Sequence, residues 1–226
     1  MTRHAPAAAA LLLLAACAPA RPADVIAYYV REGAGPVTVR ASANGDARVE
    51  AGGRVYIRRG GANYVVLKDG KGRFAAREVD YAALLAERAE ANALPGPRAE
   101  PDYEASADGT ELVAGVRGTL WKVHPRHIPS LTSLEAVVSE DPALAAAAQG
   151  LALETRLAVA ANSAAAGGPG SFEKAMTGLF EKGLVVRMGN ALKLDRIDPG
   201  PVSPADFALP AVLDRAALKA RLAAAR

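Results

Sequence analysis

Residues 37–79, VTVRASANGDARVEAGGRVYIRRGGANYVVLKDGKGRFAAREV, alternate apolar and polar side chains and are interrupted by glycine-rich turns. Alternation with a period of two is typical of β-strands that bury one face. The turns Asn44-Gly45, Gly52-Gly53, Gly60-Gly61 and 69–72 supply the positive φ angles that tight hairpins require. Links this short join antiparallel neighbours, since a parallel crossover needs a dozen or more residues. The stretch therefore predicts an antiparallel meander with one apolar face and one polar face.

Strand patterns also occur before and after the meander. These further runs are Val25–Val30, Leu112–Val116, Thr119–Val123, Leu184–Met188 and Ala191–Ile197. The first run is apolar on both sides, which indicates a strand covered on both faces. Gly189-Asn190 joins the last two runs into a hairpin, and we expect this hairpin to pair with the same sheet. Arg98–Thr110 is polar and rich in turn residues, so it predicts a loop.

Four helices and one further helix start are predicted. The helices run from Asp80 to about Ala93, from Asp141 to about Ser163, from Ser171 to about Lys182, and onward from about Leu213. Asp141-Pro142 combines an N-cap with a first-turn proline, and Gly183 suits a helix C-terminus. Thr132-Ser133-Leu134-Glu135 fits a capping box and predicts the further helix start. Strands followed by helices and another hairpin predict an α+β fold, a curved antiparallel sheet with helices on its concave face.

The first sixteen residues have the layout of a secretory signal. Arg3 gives a positive start, Ala7–Ala16 is an uncharged block around four leucines, and small residues then lead to Cys17. A bilayer core needs about twenty helical residues, so this block is too short to span it. The sequence therefore divides into a signal peptide at 1–16, a tether at 17–23 and a single domain at 24–226.

Leu14-Ala15-Ala16-Cys17 resembles the lipobox of bacterial lipoproteins. The resemblance implies cleavage before Cys17, a diacylglyceryl group on its thiol and acylation of the new amino terminus. Two or more acyl chains hold a protein stably at a membrane. Ala18, which is not aspartate, implies the outer membrane by the same resemblance, with the domain facing the periplasm. Two alternatives remain open, a plain secretory signal and a buried core cysteine.

Composition bounds the class of protein. Cys17 is the only cysteine, so a disulfide within the chain is excluded. Removing Arg3 with the signal lowers the formal net charge from +3 to +2, and export argues against a nucleic-acid partner. The abundant alanines fill little volume, so the core depends on scattered larger side chains.

Three pieces of the chain resemble exported proteins of unknown function that are related to the lipoprotein carriers LolA and LolB. These pieces are the meander, the stretch 109–123, and Lys182-Gly183 with its hairpin and Phe207-Ala208-Leu209-Pro210. The resemblance implies a half-open β-barrel whose apolar hollow, partly closed by helices, holds acyl chains.

Candidate catalytic and metal sites are sparse. His124 and His127 could bind zinc, but a zinc site needs a third or fourth ligand, and Pro125 keeps the pair off a regular helix face. The same histidines could activate Ser130, yet no G-x-S-x-G elbow is present. The segment 70–72 lacks the spacing of a P-loop. We therefore expect a protein that is not an enzyme and that carries neither metal nor cofactor.

Two segments have both a structural and a functional interpretation. The arginines of the meander could form a basic patch for anionic lipid headgroups, although a solvated sheet face is the favoured interpretation. These arginines are Arg40, Arg48, Arg54, Arg58 and Arg59. The alanine-rich segment 142–161 is interpreted as a closely packed core helix, with a mobile lid over a lipid-sized hollow as the alternative.

The predicted function is non-enzymatic binding of a hydrophobic ligand, a lipid or an acylated peptide, in the half-barrel of an envelope lipoprotein. The predicted lining residues are Val49, Val55, Ile57, Val65, Leu67 and Trp121. Tyr28 and Tyr29 are equally suited to the core. The alternative is a structural or interaction lipoprotein that has a filled core and contacts an envelope protein.

Overall fold

The computed structural model describes residues 22–91, 101–127, 133–163 and 169–224, and these form twelve β-strands and four α-helices. The strands are β1 Val25–Arg31, β2 Val37–Ala41, β3 Ala47–Ala51, β4 Arg54–Arg59, β5 Ala62–Asp69, β6 Gly72–Arg77, β7 Tyr103–Val113, β8 Val116–Pro125, β9 Leu134–Ser139, β10 Leu184–Met188, β11 Leu192–Pro199 and β12 Val212–Leu213. The helices are α1 Glu78–Glu90, α2 Ala145–Ser163, α3 Ser171–Lys182 and α4 Arg215–Ala224.

All twelve strands belong to one open sheet, in the order β12-β6-β5-β4-β3-β2-β1-β11-β10-β9-β8-β7. Neighbours pair antiparallel, except that β12 runs parallel to β6. Central strand β1 pairs with β2 on one side and β11 on the other, so it joins the meander to the last hairpin. The predicted α+β class, the meander and the placement of that hairpin are confirmed.

The loop predicted for Arg98–Thr110 is wrong over its second half. Strand β7 begins at Tyr103 and pairs with β8. Its sequence is polar because β7 is a sheet edge, where polar side chains and bulges limit pairing with other chains. A bulge between Ala107 and Thr110 places Gly109 at φ 110° and adds to the turn-like composition.

The helix start predicted by the capping-box pattern at 132–135 is also wrong. Thr132 lies outside the described residues, and Leu134 begins strand β9 instead. Residues 136–138 of this strand are fully buried between β8 and β10. Three consecutive buried positions suit a strand covered on both faces, and that burial overrides a four-residue local signal.

The two long helices of the second half lie where the sequence predicts them, but their starts differ from the predicted ones, Asp141 for α2 and Ser171 as the N-cap of α3. Asp141 caps a short 3-10 helix, Pro142–Leu144, by accepting a hydrogen bond from the Ala143 amide at 2.9 Å. This 3-10 helix leads directly into α2. Gly170 rather than Ser171 is the N-cap of α3, and the Gly170 amide donates to Glu173 Oε2 at 2.9 Å.

The second face of the meander is polar on β2 and β3, as predicted, but on β4 and β5 it carries the apolar side chains Val55, Ile57 and Val66. Helix α2 lies on one face. On the other face lies the strap, which we define as residues 200–211 between β11 and β12. Val202 and Phe207 of the strap are buried against Ile57, which is 0% exposed. Arg48 Nη1 donates to the Asp206 carbonyl at 3.2 Å and ties the strap to β3.

The end of the strap also extends the sheet at its β6 edge. Val212 and Leu213 form β12, and α4 follows. Arg221 of α4 donates from Nε and Nη2 to Asp69 at 2.7 and 2.9 Å, and its guanidinium lies 4.1 Å from the Phe74 ring centroid. The hydrogen bonds from Arg221 are the main reason why the pKa of Asp69 falls from its usual 3.8 to about 2.

We expect Asp69→Asn to remove an acid-sensitive contribution to stability. The folded-state pKa lies below the unfolded one, so the contribution is complete above about pH 4 and disappears as the pH falls towards 2. Urea unfolding should therefore show wild type and Asp69→Asn differing by a constant amount from pH 7 to 5 and converging below pH 4. Arg221→Gln should lose the same pH-dependent part, on top of a constant difference from its lost contact with the Phe74 ring. A difference that persists unchanged to pH 2 would contradict this assignment.

Candidate functional site

Helix α2 fills the helix-side face of the sheet, where the half-barrel hollow is predicted. It packs on β2, β3, β4 and β10, and its Ala147, Leu151 and Leu153 are fully buried. At Gly150 the approach is so close that an added Cβ would lie 2.9 Å from Ala47 Cβ and 3.2 Å from Val49 Cγ2. At this crossing the helix and the sheet are therefore in direct contact.

Among the described residues three buried side-chain polar atoms lack a hydrogen-bond partner, Tyr29 Oη, Arg58 Nε and Trp121 Nε1. The side chain of Tyr29 on β1 is 1% exposed, and its hydroxyl has no hydrogen-bond partner among the described residues. Burial raises the pKa of Tyr29, so the phenol stays protonated. Its neighbour Tyr28 lies on the opposite face, where the Arg196 guanidinium is 3.8 Å from its ring centroid.

The six predicted lining residues are divided between the two faces of the sheet. Val49 and Val65 are buried on the helix side, and Leu67 and Trp121 pack against the same cluster while partly exposed. Val55 and Ile57 lie on the opposite face, under the strap. Strand β4 has apolar side chains on both faces, because Tyr56 pairs with Val49 and with Val65 and takes the helix-side position. The sequence pattern of β4 alone does not reveal which face is inside.

Two polar contacts fasten α2 to its surroundings. Glu154 accepts two hydrogen bonds at 3.2 Å from Arg31 at the end of β1, and both side chains are largely buried. Arg156 Nε donates to Glu78 Oε1 of α1 at 3.0 Å, and Asn63 Nδ2 donates to the other oxygen of Glu78 at 2.7 Å. Sequence reasoning missed these pairs, since their partners are 78 to 123 residues apart along the chain.

A cavity of about 270 Å³ opens along one flank of α2, and we call it the α2 flank cavity. Its floor is a helical stripe, Ala145, Ala148, Gln149, Ala152 and Arg156. Its walls are Arg58 of β4 and the end of α3, residues 180–183. The stripe is recognisable in the sequence from its helical spacing, but the walls come from distant segments.

Other cavities lie at the periphery of the described fold. One of about 420 Å³ lies between α1 and α4, with Leu84 and Leu222 among its lining residues. Two more, of about 730 and 500 Å³, share Ala114 at the tip of the β7–β8 hairpin. Ala114 has φ 49°, a left-handed conformation that is unfavourable for a residue with a Cβ.

The histidines are on exposed parts of the described fold. His124 Nε2 lies 3.3 Å from Ser106 Oγ, across the β7–β8 pair. His127 is exposed at the end of β8, and Ser130 lies outside the described residues. In the part of the chain that the structure describes, no group of three His, Cys, Asp or Glu side chains could hold a metal ion.

The predicted basic patch is divided between the faces of the sheet. Arg40 and Arg48 lie on the strap side and both contact Glu50, at 3.3 and 2.7 Å. Arg54 and Arg58 flank Tyr56 on β4 and therefore lie on the helix side. The solvated and paired interpretation fits Arg40 and Arg48, whereas Arg58 contributes to the α2 flank cavity.

Cys17 and residues 18–21 of the tether lie outside the described residues. Of the helices that the structure does describe, none is long and apolar enough to cross a membrane. No protein-family model matches the chain, and no curated protein matches it. The resemblance to LolA and LolB and the lipobox assignment therefore stay predictions.

The contact at Gly150 can be tested by a single methyl group. Gly150→Ala should lower the free energy of unfolding by roughly 1–2 kcal/mol, because overpacking outweighs the ~1 kcal/mol that alanine normally gains over glycine in a helix. Gly178→Ala in α3 is the matched control, since nothing lies within 4 Å of its added Cβ. It should stabilise the protein by up to about 1 kcal/mol. Equal stabilisation by both variants in urea unfolding would show that α2 does not press on the sheet.

Proposed function

We propose that this protein is an envelope lipoprotein, anchored through acyl groups on Cys17 to the periplasmic face of the outer membrane. The leucine-rich block, the small residues and Cys17 follow one another in the order that such anchoring needs. The seven residues Cys17–Ala23 span at most ~25 Å when fully extended. The tether would therefore hold the sheet close to the membrane surface.

The folded part, in this proposal, acts by binding an envelope protein partner and performs no bond chemistry. The observation that carries this choice is the direct contact of α2 with β3 at Gly150. Because α2 already fills the interior, the protein would recognise a partner through its outer surface. A catalytic role is less well supported, since His124 and Ser106 lie on an exposed strand pair, while reactive groups generally work in sites that exclude water.

A second candidate function is transport of a lipid or an acylated peptide within a half-open barrel similar to LolA and LolB. Tyr29 favours this candidate, because its buried hydroxyl lacks the hydrogen bond that most buried polar groups make. A ligand carbonyl could accept that bond after α2 moves aside. Val49, Val65, Leu67 and Trp121 would then contact the acyl chain. The ion pairs of Glu154 and Arg156 would have to break during this movement.

The anchor is tested by metabolic labelling with radioactive palmitate. Wild type should incorporate label and sediment with membranes, whereas Cys17→Ser should be unlabelled and released in soluble form. Because cysteine and serine differ by one atom, the exchange leaves signal recognition largely unchanged. Labelling of both proteins to the same extent would refute the anchor.

The two binding modes are separated by what copurifies with the unanchored Cys17→Ser protein. A filled core predicts that mass spectrometry of an extract finds no lipid in stoichiometric amount. One lipid per chain, lost in a Leu67→Trp variant that still folds, would overturn the filled-core proposal in favour of the carrier, since Leu67 is only partly buried. Lys68→Gln, a change on an exposed part of β5, is the control for non-specific loss.

A further inference from the structure

We propose that the α2 flank cavity binds a phosphate group, either free or carried by a lipid headgroup. Three cationic side chains, Arg58, Arg156 and Lys182, line this cavity together with one carboxylate, Glu181. The charge of the lining is therefore positive. Arginine and lysine side chains that converge on one cavity are typical of phosphate recognition.

Arg58 supplies a donor that lacks an acceptor. Its Nη1 donates to the Gly61 carbonyl at 3.4 Å and to Asn63 Oδ1 at 3.3 Å, which fixes the plane of the guanidinium. Its Nε is buried and has no hydrogen-bond partner among the described residues. Since Nε is not accessible from the cavity, it would reach a phosphate oxygen only after the side chain turns, and in the observed rotamer Arg58 contributes the positive charge of its guanidinium.

Lys182 provides the charge that no carboxylate of the described residues compensates, whereas the charge of Arg156 is paired with Glu78. The Lys182 ammonium lies 4.6 Å from the Trp121 ring centroid, and within the described ranges it forms no ion pair. Its charge is thus available to a ligand. Arg156 is oriented by the hydrogen bond from its Nε to Glu78, as a residue of a preorganised site would be.

The size and floor of the cavity select a small anion. Its volume of about 270 Å³ is below the roughly 300–1,000 Å³ of pockets that bury drug-sized ligands. Ala145, Ala148 and Ala152 have short side chains, so they leave the space open, and Gln149 adds an amide donor. The cavity suits a phosphate with a short substituent.

The site does not depend on the proposed function, because it needs neither acylation of Cys17 nor movement of α2. It is tested by titrating inorganic phosphate into the full chain carrying Cys17→Ser, with calorimetric detection. We expect saturable binding of one phosphate per chain. Lys182→Gln should weaken binding by at least about tenfold, the effect of losing a hydrogen bond to a charged group.

Two further variants separate a built site from general charge attraction. Ala145→Leu adds volume on the cavity floor without changing charge and should weaken binding as strongly as Lys182→Gln. Lys68→Gln removes the same charge from an exposed position on β5 and should bind phosphate like the parent chain. Absence of saturable binding, or equal binding by all three variants, would overturn the proposal. Circular dichroism checks that each variant is folded.

Vesicle flotation identifies the source of the phosphate. If a lipid headgroup is the ligand, vesicles of phosphatidylglycerol should retain the Cys17→Ser chain and lose it on Lys182→Gln. Phosphatidylcholine vesicles should retain neither chain, because the positive lining of the cavity repels the cationic choline attached to the phosphate. If the ligand is free phosphate, calorimetric binding remains and the two chains float equally. Either result supports the site, and only the loss of calorimetric binding or of its dependence on Lys182 and Ala145 counts against it.

Discussion

The architecture depends on how closely α2 approaches the sheet. Direct packing of a helix backbone onto strands requires small side chains on both surfaces, and Gly150 facing Ala47 supplies them. Larger residues beside this contact, such as Leu151 and Leu153, then fill the remaining space. Protein interiors are packed as densely as organic crystals, so a helix seated in this way leaves little volume for a guest. At this crossing the contact leaves no space for a ligand between the helix and the sheet.

On the opposite face of the sheet, the strap covers the apolar side chains of β4 and β5, beside the polar and partly exposed side chains of β2 and β3. The strap crosses from β11, beside the central β1, to β12 at the β6 edge, and it buries Ile57 with Val202 and Phe207. The first and last parts of the chain are therefore mutually dependent, since the meander needs the strap for one face and α2 for the other. Strand β1 reinforces this dependence because it pairs with segments from both parts.

On the helix side of the sheet, polar side chains fix the position of α2, whereas apolar side chains fill the interior. The ion pairs Arg31–Glu154 and Arg156–Glu78 fix the position of α2 along the sheet. Packing of its small side chains alone would fix this position only weakly. The same alanines that allow the close approach also leave a recess on the flank of α2. Arg58 and Lys182 reach this recess from β4 and from the end of α3. The proposed phosphate site would thus use the space that the small side chains of α2 leave open, with cationic side chains at its edges.

The sequence by itself determined the α+β class, the meander, the approximate positions of α2 and α3, and the last hairpin. Each of these follows from local rules, namely the period of apolar residues, the φ demands of Gly and Asn, and capping chemistry. Only the tertiary structure decided that Tyr103–Thr110 and Leu134–Ser139 are strands, and which side of β4 faces inward. It also brought Arg58, Arg156 and Lys182 to one cavity. The physical reason is that burial and long-range pairing depend on which segments meet, and local preferences worth fractions of a kcal/mol per residue give way to them.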